Sequence, residues 1–325
     1  MSDRDTSDSL FVLLVFLGLI LTFAAVVLSA YLRLQSIGLG CEDWPACFGR
    51  LPEAHAAGGV PRGTAGAIHR FAASLLGLIV LAITIMSLRG RRPAGVGMAA
   101  PLCVFGLTVF LSVLGYSTPS YALPAVTLGN LGGGMAMLAL LWWMGQRSVE
   151  HVDAAGTTDN RLRPWALLGL LLVAVQIALG AWTSASFAGP ACTSLPGCEG
   201  DWASTGNLAR GLDLSGRLAV DERGRVVTGG VQQTLHMAHR LGALVTVPYL
   251  SVLAVSALRG AKRLRTTGIA ILALVLLQAA LGVSGVIAGL PLPLVTAHNA
   301  TAALLLLAVV NLNHLLTPGG APRRS

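Results

Sequence analysis

Eight stretches of roughly 20 predominantly apolar residues divide this chain, beginning near Leu10, Ala65, Val96, Ala122, Pro164, Gly230, Thr267 and Pro293. An α-helix of that length crosses about 30 Å of hydrocarbon, and in lipid only helices and closed barrels satisfy their own backbone. All 14 acidic residues fall outside these stretches. Charged residues make up 11% of the chain and its mean hydropathy is +0.72, whereas soluble domains carry about 25% charge. The expected fold is therefore an all-α membrane protein with eight transmembrane helices in a lipid bilayer. Residues 1–8 lack a basic n-region, so the first stretch reads as an anchor and not as a cleaved signal.

Orientation follows from the short connections, because Lys and Arg near helix ends stay on the cytoplasmic side. Arg89, Arg91 and Arg92 lie between stretches 2 and 3, and Arg147, Arg161 and Arg163 between 4 and 5. Arg259, Lys262, Arg263 and Arg265 lie between 6 and 7, and Arg323 and Arg324 follow 8. All four clusters fall on one side, which places both termini in the cytoplasm and loops 33–64 and 188–229 outside. The net charge of +8 is thereby read as topology and not as a nucleic-acid footprint.

Each outside loop carries a cysteine pair of the same spacing, Cys41 and Cys47 in CEDWPAC and Cys192 and Cys198 in CTSLPGC. Outside the cytoplasm such pairs oxidise and persist, and Pro45 and Pro196 favour a tight reversal between the sulfurs. Two local disulfides are expected. A zinc site lacks ligands, since His55 is the only candidate to join either pair. Cys103, alone in stretch 3, reads as a small packing residue.

Within this apolar frame the dipeptide His-Arg occurs twice, as His69-Arg70 and His239-Arg240. Ionisable side chains inside a membrane are costly and mark function. Stretch 8 adds His298, and two imidazoles on neighbouring helices suit the two faces of a heme iron. The matching His-Arg helices and cysteine loops divide the chain into two copies of one unit, 1–150 and 151–325, each expected to be a four-helix bundle with an inward-facing pocket. The copies are unequal. The spacing from His239 to His298, applied to His69, lands on Leu128 beside Gly129 and Asn130, and stretch 4 has no histidine.

His236 lies one turn from His239 on nearly the same face. It is open to three roles, as reserve ligand, propionate contact or proton relay, besides that of an interfacial histidine with its bonds satisfied. Arg70 and Arg240 point away from the histidines, toward heme propionates at the outer interface or toward lipid headgroups. His314 and His151 read as solvated or interfacial, and Gln176 and Gln278 as polar groups that bond across the bundle.

Five strings in order, GLGCEDWPACFG, IHRFAASLLG, QIALGAWTSASFAGPAC, HMAHRLGALVT and LPLPLVTAHNATAALLLL, resemble the heme A synthase family over nearly the whole chain. The resemblance implies a pseudo-symmetric eight-helix enzyme that converts heme O to heme A by oxidising a methyl group to a formyl. Heme b is then held in the C-terminal half by His239 and His298, and heme O is the substrate in the N-terminal half, at His69. The location implied is a bacterial cell membrane. Implied partners are heme O synthase, cytochrome oxidase assembly proteins and further copies of the chain; the electron donor is not named by the sequence.

The chain departs from that family's pattern in the N-terminal half. Gly66 stands where the family has a glutamate, and Gly129 or Asn130 where it has a second histidine. His69 with an open face beneath Asn130 is one reading of this half, with Asp43 or Glu53 of the first loop as replacement carboxylates. The alternative is a heme b-binding relative without synthase activity that serves as an electron-transfer subunit, heme carrier or assembly factor. Other classes fit less well. An ion-coupled transporter would carry a carboxylate in a span, a quinol-oxidising cytochrome would pair histidines on the same two helices, and thiol-redox enzymes use closer cysteines.

Overall fold

The computed structural model describes residues 3–36, 64–117, 123–149, 161–213, 218–222 and 226–317. Its described residues form α1 (Asp3–Ser36), α2 (Thr64–Leu88), α3 (Ala99–Ser117), α4 (Pro124–Val149), α5 (Arg163–Ala185), a short α6 (Thr205–Gly211), α7 (Gly230–Ala257), α8 (Lys262–Ile287) and α9 (Leu292–Leu315). No strand occurs among them beyond an isolated Val220–Val226 bridge.

Seven of these helices, α1, α2, α4, α5, α7, α8 and α9, are long and apolar enough to cross a membrane. The third apolar stretch is shorter than expected. Its apolar core Ala99–Gly115 reaches only about 25 Å at 1.5 Å per residue, against roughly 30 Å of hydrocarbon. Prolines start three of the long helices, since the ring suits a first turn whose N–H has no partner: Pro124 opens α4, and one proline stands in the first turn of α5 and one in that of α9. At the start of α7 the Gly229 N–H donates to Oε1 of Gln232 over 3.0 Å.

α1 packs on α2 and α4, and α3 also packs on both of these, which closes a ring of four. α5 packs on α7 and α9, and α8 also packs on both. Between the rings, α4 meets α9 and α5 while α1 meets α9. Helices in lipid gain little from hydrophobic exclusion and associate through close packing over small residues and through polar contacts. α4 follows this rule: a side chain at Gly134 would come within 2.9 Å of Val26, and one at Gly145 within 3.3 Å of Phe16, both on α1. The central core runs through Phe11, Val15, Leu138, Leu141, Leu250 and Leu312.

Polar contacts tie the arginine-rich end. Gln146 of α4 donates to Oδ1 of Asn311 on α9, Asn311 donates to Oγ1 of Thr267 on α8 at 2.8 Å, and Asn313 donates to the Ala166 carbonyl of α5 at 2.9 Å. His314, read from sequence as solvated or interfacial, is instead buried, with its ring edge-on to Trp143 at 5.2 Å. Cys103 is exposed on α3 and so is not the packing residue expected of it.

Replacing Gly134 by leucine should drive α1 and α4 apart and lower stability by about 1–3 kcal/mol, the usual cost of overpacking. Thermal unfolding of the detergent-solubilised chain reads this, and an unchanged midpoint would show that the contact is slack.

Candidate functional site

His239 stands in the third turn of α7 and His298 in the second turn of α9, both at the end opposite the arginine clusters. Their rings are neighbours in an edge-on arrangement, with centroids 6.4 Å apart and planes at 79°. Each is half-buried, and each is held by a glutamine from a different helix. Nε2 of Gln176 on α5 donates to Nδ1 of His239 and to the His239 carbonyl, both at 3.0 Å. Nε2 of Gln278 on α8 lies 3.0 Å from Nε2 of His298.

One turn beyond each glutamine stands a glycine that leaves room for the ring. A Cβ at Gly180 would lie 2.9 Å from Cε1 of His239, and a Cβ at Gly282 would lie 3.2 Å from Cε1 of His298. Gly242, one turn after His239, lies so close to Gln176 that any side chain there would collide with the amide oxygen. Glutamine and glycine at i and i+4 lie on one helix face, so each of α5 and α8 presents a polar grip and a clearance to one imidazole.

This pair can hold a metal from both sides. An imidazole nitrogen binds a metal at about 2.0 Å and its ring centre lies roughly an ångström farther out, so two imidazoles on one ion have centres about 6 Å apart. The observed 6.4 Å fits. Each histidine has one ring nitrogen against its glutamine and keeps the other, and Nδ1 of His298 is buried without a partner. Two axial imidazoles fill both faces of a heme iron and suit electron transfer. The residues fit a bis-histidine heme.

The other residues singled out from sequence are placed as follows. Nδ1 of the buried His236 donates to the Ala188 carbonyl at 3.0 Å, so this histidine fastens α7 to the chain leaving α5. Arg240 grips the cysteine loop. Its Nη1 donates to the carbonyls of Ser194 at 2.7 Å and Gly197 at 2.6 Å, its Nη2 to that of Cys192 at 2.7 Å, and its Nε is buried without a partner. Cys192 and Cys198 form the expected disulfide. Cys41 and Cys47 lie outside the described residues, as do Asp43, Glu53, His55 and His151.

In the first ring, His69 stands in the second turn of α2 and is half-buried, with Arg70 exposed beside it and the buried Gly66 one turn earlier. Asn130 lies half-buried on α4. Position 129 is covered by α3: a Cβ there would lie 2.7 Å from the end of the Leu114 side chain and 3.4 Å from Phe110, so a side chain would require Leu114 to shift. Gly133 is covered in the same way by Leu111 at 2.8 Å. The structure thus brings together His239 and His298 and sets no second imidazole from α4 opposite His69.

Sequence reasoning placed the glutamines in the bundle but not on the histidines. The signal was present as a repeat, Gln176-Ile-Ala-Leu-Gly180 in α5 and Gln278-Ala-Ala-Leu-Gly282 in α8.

The chain is similar to known proteins. Residues 65–310 match the COX15-CtaA family, described as cytochrome oxidase assembly protein. The chain is also 34% identical over 315 residues to the heme A synthase of Shewanella oneidensis, an alignment that covers 92% of this chain and 94% of that one.

Arg240→Leu should release the cysteine loop. Charge-assisted bonds are worth about 1.5–3 kcal/mol each, so amide exchange across 192–198 should speed up by about tenfold or more while the middle of α5 keeps its protection. Equal exchange in both proteins would show that the disulfide alone holds the loop.

Proposed function

Because this chain belongs to the COX15-CtaA family of cytochrome oxidase assembly proteins, we propose that it is a heme A synthase, an oxidoreductase that converts the heme O methyl group to the formyl of heme A within the membrane. The observation that carries the heme part is the pair of imidazoles at 6.4 Å, each with a free ring nitrogen. A near full-length relative of that name supports the reaction.

The resident cofactor in this reading is heme b, bound by His239 and His298 in the half 151–325. Bound there, heme b would supply one-electron transfer. Gly180 and Gly282 keep the imidazoles clear of α5 and α8. Arg240 holds the disulfide-closed loop at the same end, and its unpartnered Nε is the donor left for a propionate.

Heme O as substrate belongs in the half 1–150, on His69, with Arg70 for its propionates and Asn130 beside its open face. Position 129, packed under Leu114 and Phe110, contributes no ligand. No carboxylate lies in the part of the spans around His69, so the proton acceptor in this half comes from outside the helices. The first-loop residues Asp43 and Glu53 are the candidates.

The neighbour pattern of the helices supports two pseudo-symmetric bundles. Exchanging α1 with α5, α2 with α7, α3 with α8 and α4 with α9 maps each ring onto the other and the contacts between the rings onto themselves. On that symmetry α3 is the eighth span, paired with α8. The four arginine clusters favour cytoplasmic termini, and the bacterial relative supports a bacterial cell membrane. Heme O synthase, as the source of substrate, and cytochrome oxidase assembly proteins are the partners that follow, with the chain self-associating in the membrane.

The purified chain should show a b-type absorption spectrum, and His298→Ala or His239→Ala should cut heme content by more than about tenfold, since even outer-shell changes around a ligand cost that much. Supplied with heme O and reductant, the intact protein should yield heme A by chromatography. Intact heme b without any formyl product would contradict the synthase assignment and favour a heme-binding member of the family that does not carry out the oxidation.

A further inference from the structure

We infer that Gln176 and Gln278 are positioning residues for the two axial imidazoles, each setting the tautomer of its histidine and, through it, the reduction potential of the iron. The inference rests on the heme b reading above. Two independent helices present the same five-residue unit, Gln-x-Ala-Leu-Gly, to the two histidines and to no other ring among the described residues. Gln176 also donates to the His239 carbonyl, but the contact that the two glutamines share is with a ring nitrogen. Both of these amides lie 3.0 Å from a ring nitrogen.

The orphaned atoms point the same way. Oε1 of Gln176 and Oε1 of Gln278 are both buried without a partner, and a buried unpaired acceptor is costly. An imidazole that gives one ring nitrogen to a metal carries its proton on the other, and that N–H needs an acceptor. A carboxamide offers both characters on one group, and its terminal torsion is broad and roughly two-fold. With the amide nitrogen toward the ring, as here, it donates to a bare ring nitrogen. With Oε1 toward the ring it accepts from a protonated one: at Gln278 this pairs the orphaned oxygen, and at Gln176 it exchanges the bond to the His239 carbonyl for one from the ring N–H.

An acceptor on the outward N–H makes the imidazole a stronger donor to the iron and stabilises the ferric state. The first ring lacks the device. Aligned on Leu-Gly, the α3 segment Leu111-Ser112-Val113-Leu114-Gly115 has leucine where α8 has Gln278, and that leucine packs on Gly133.

A redox titration of the b-type band in the full-length, detergent-purified protein tests the inference. Gln176→Leu and Gln278→Leu should each retain heme and titrate at a higher potential than the unaltered protein, and the double variant should shift further than either alone. Gln176→Glu and Gln278→Glu, with a stronger acceptor, should titrate lower. If one substitution at a position empties the site, the direction of the shift in the other decides. Heme-loaded variants that all titrate with the unaltered protein would overturn the inference. So would loss of heme from both the Glu and the Leu variant of a monodisperse protein, which would assign the glutamines to packing. A lack of any b-type band in the unaltered protein would instead overturn the heme b reading itself.

Discussion

Inside a bilayer a polar side chain has no water to turn to, and leaving it unpaired costs several kcal/mol. The pairing of one glutamine with one histidine across a helix interface answers part of that constraint, leaving Oε1 of each glutamine unpaired, and the later helices are arranged around two such pairs. α5 meets α7 so that Gln176 reaches His239, and α8 meets α9 so that Gln278 reaches His298. Gly180 and Gly282 are required because helices close enough for a 3.0 Å bond leave no space for a Cβ beside the ring. His236 and Arg240 then fix the loop end, one through the Ala188 carbonyl and the other through the carbonyls of the disulfide loop. What results is a pair of imidazoles held at a spacing that one metal ion can bridge.

The first ring shares the neighbour pattern but fills its interior differently. Where α8 faces α9 with a glutamine, α3 faces α4 with leucine, and Leu111, Leu114 and Phe110 close over Gly129 and Gly133. Small residues in α4 thus serve helix packing and not ligand clearance at these two positions. His69 is left as the sole imidazole of that ring among the described residues. The two rings are therefore filled differently: one sets two imidazoles against each other, and the other carries a single described imidazole, on α2.

Much of this was legible in the sequence because membrane chemistry makes polar residues conspicuous. His239 and His298 stand out in apolar stretches, and the cysteine spacing in CTSLPGC foretold the Cys192–Cys198 disulfide. What was hidden depended on facing. Gln176 and Gln278 read as generic interhelical bonds, since a spacing within one helix cannot say which neighbour it meets. The direction of Arg240 was also hidden, because its carbonyl partners come from a loop whose path no periodicity records. His314 looked exposed by its position near a helix end, yet Trp143 of α4 packs over it.

Heme content per polypeptide, measured by pyridine hemochrome on the purified chain and on its His69→Ala and His298→Ala variants, tests the division of labour most directly. The account predicts one heme b per chain, kept when His69 is replaced and lost when His298 is replaced. Heme b that survives His298→Ala, or that disappears with His69→Ala, would contradict it.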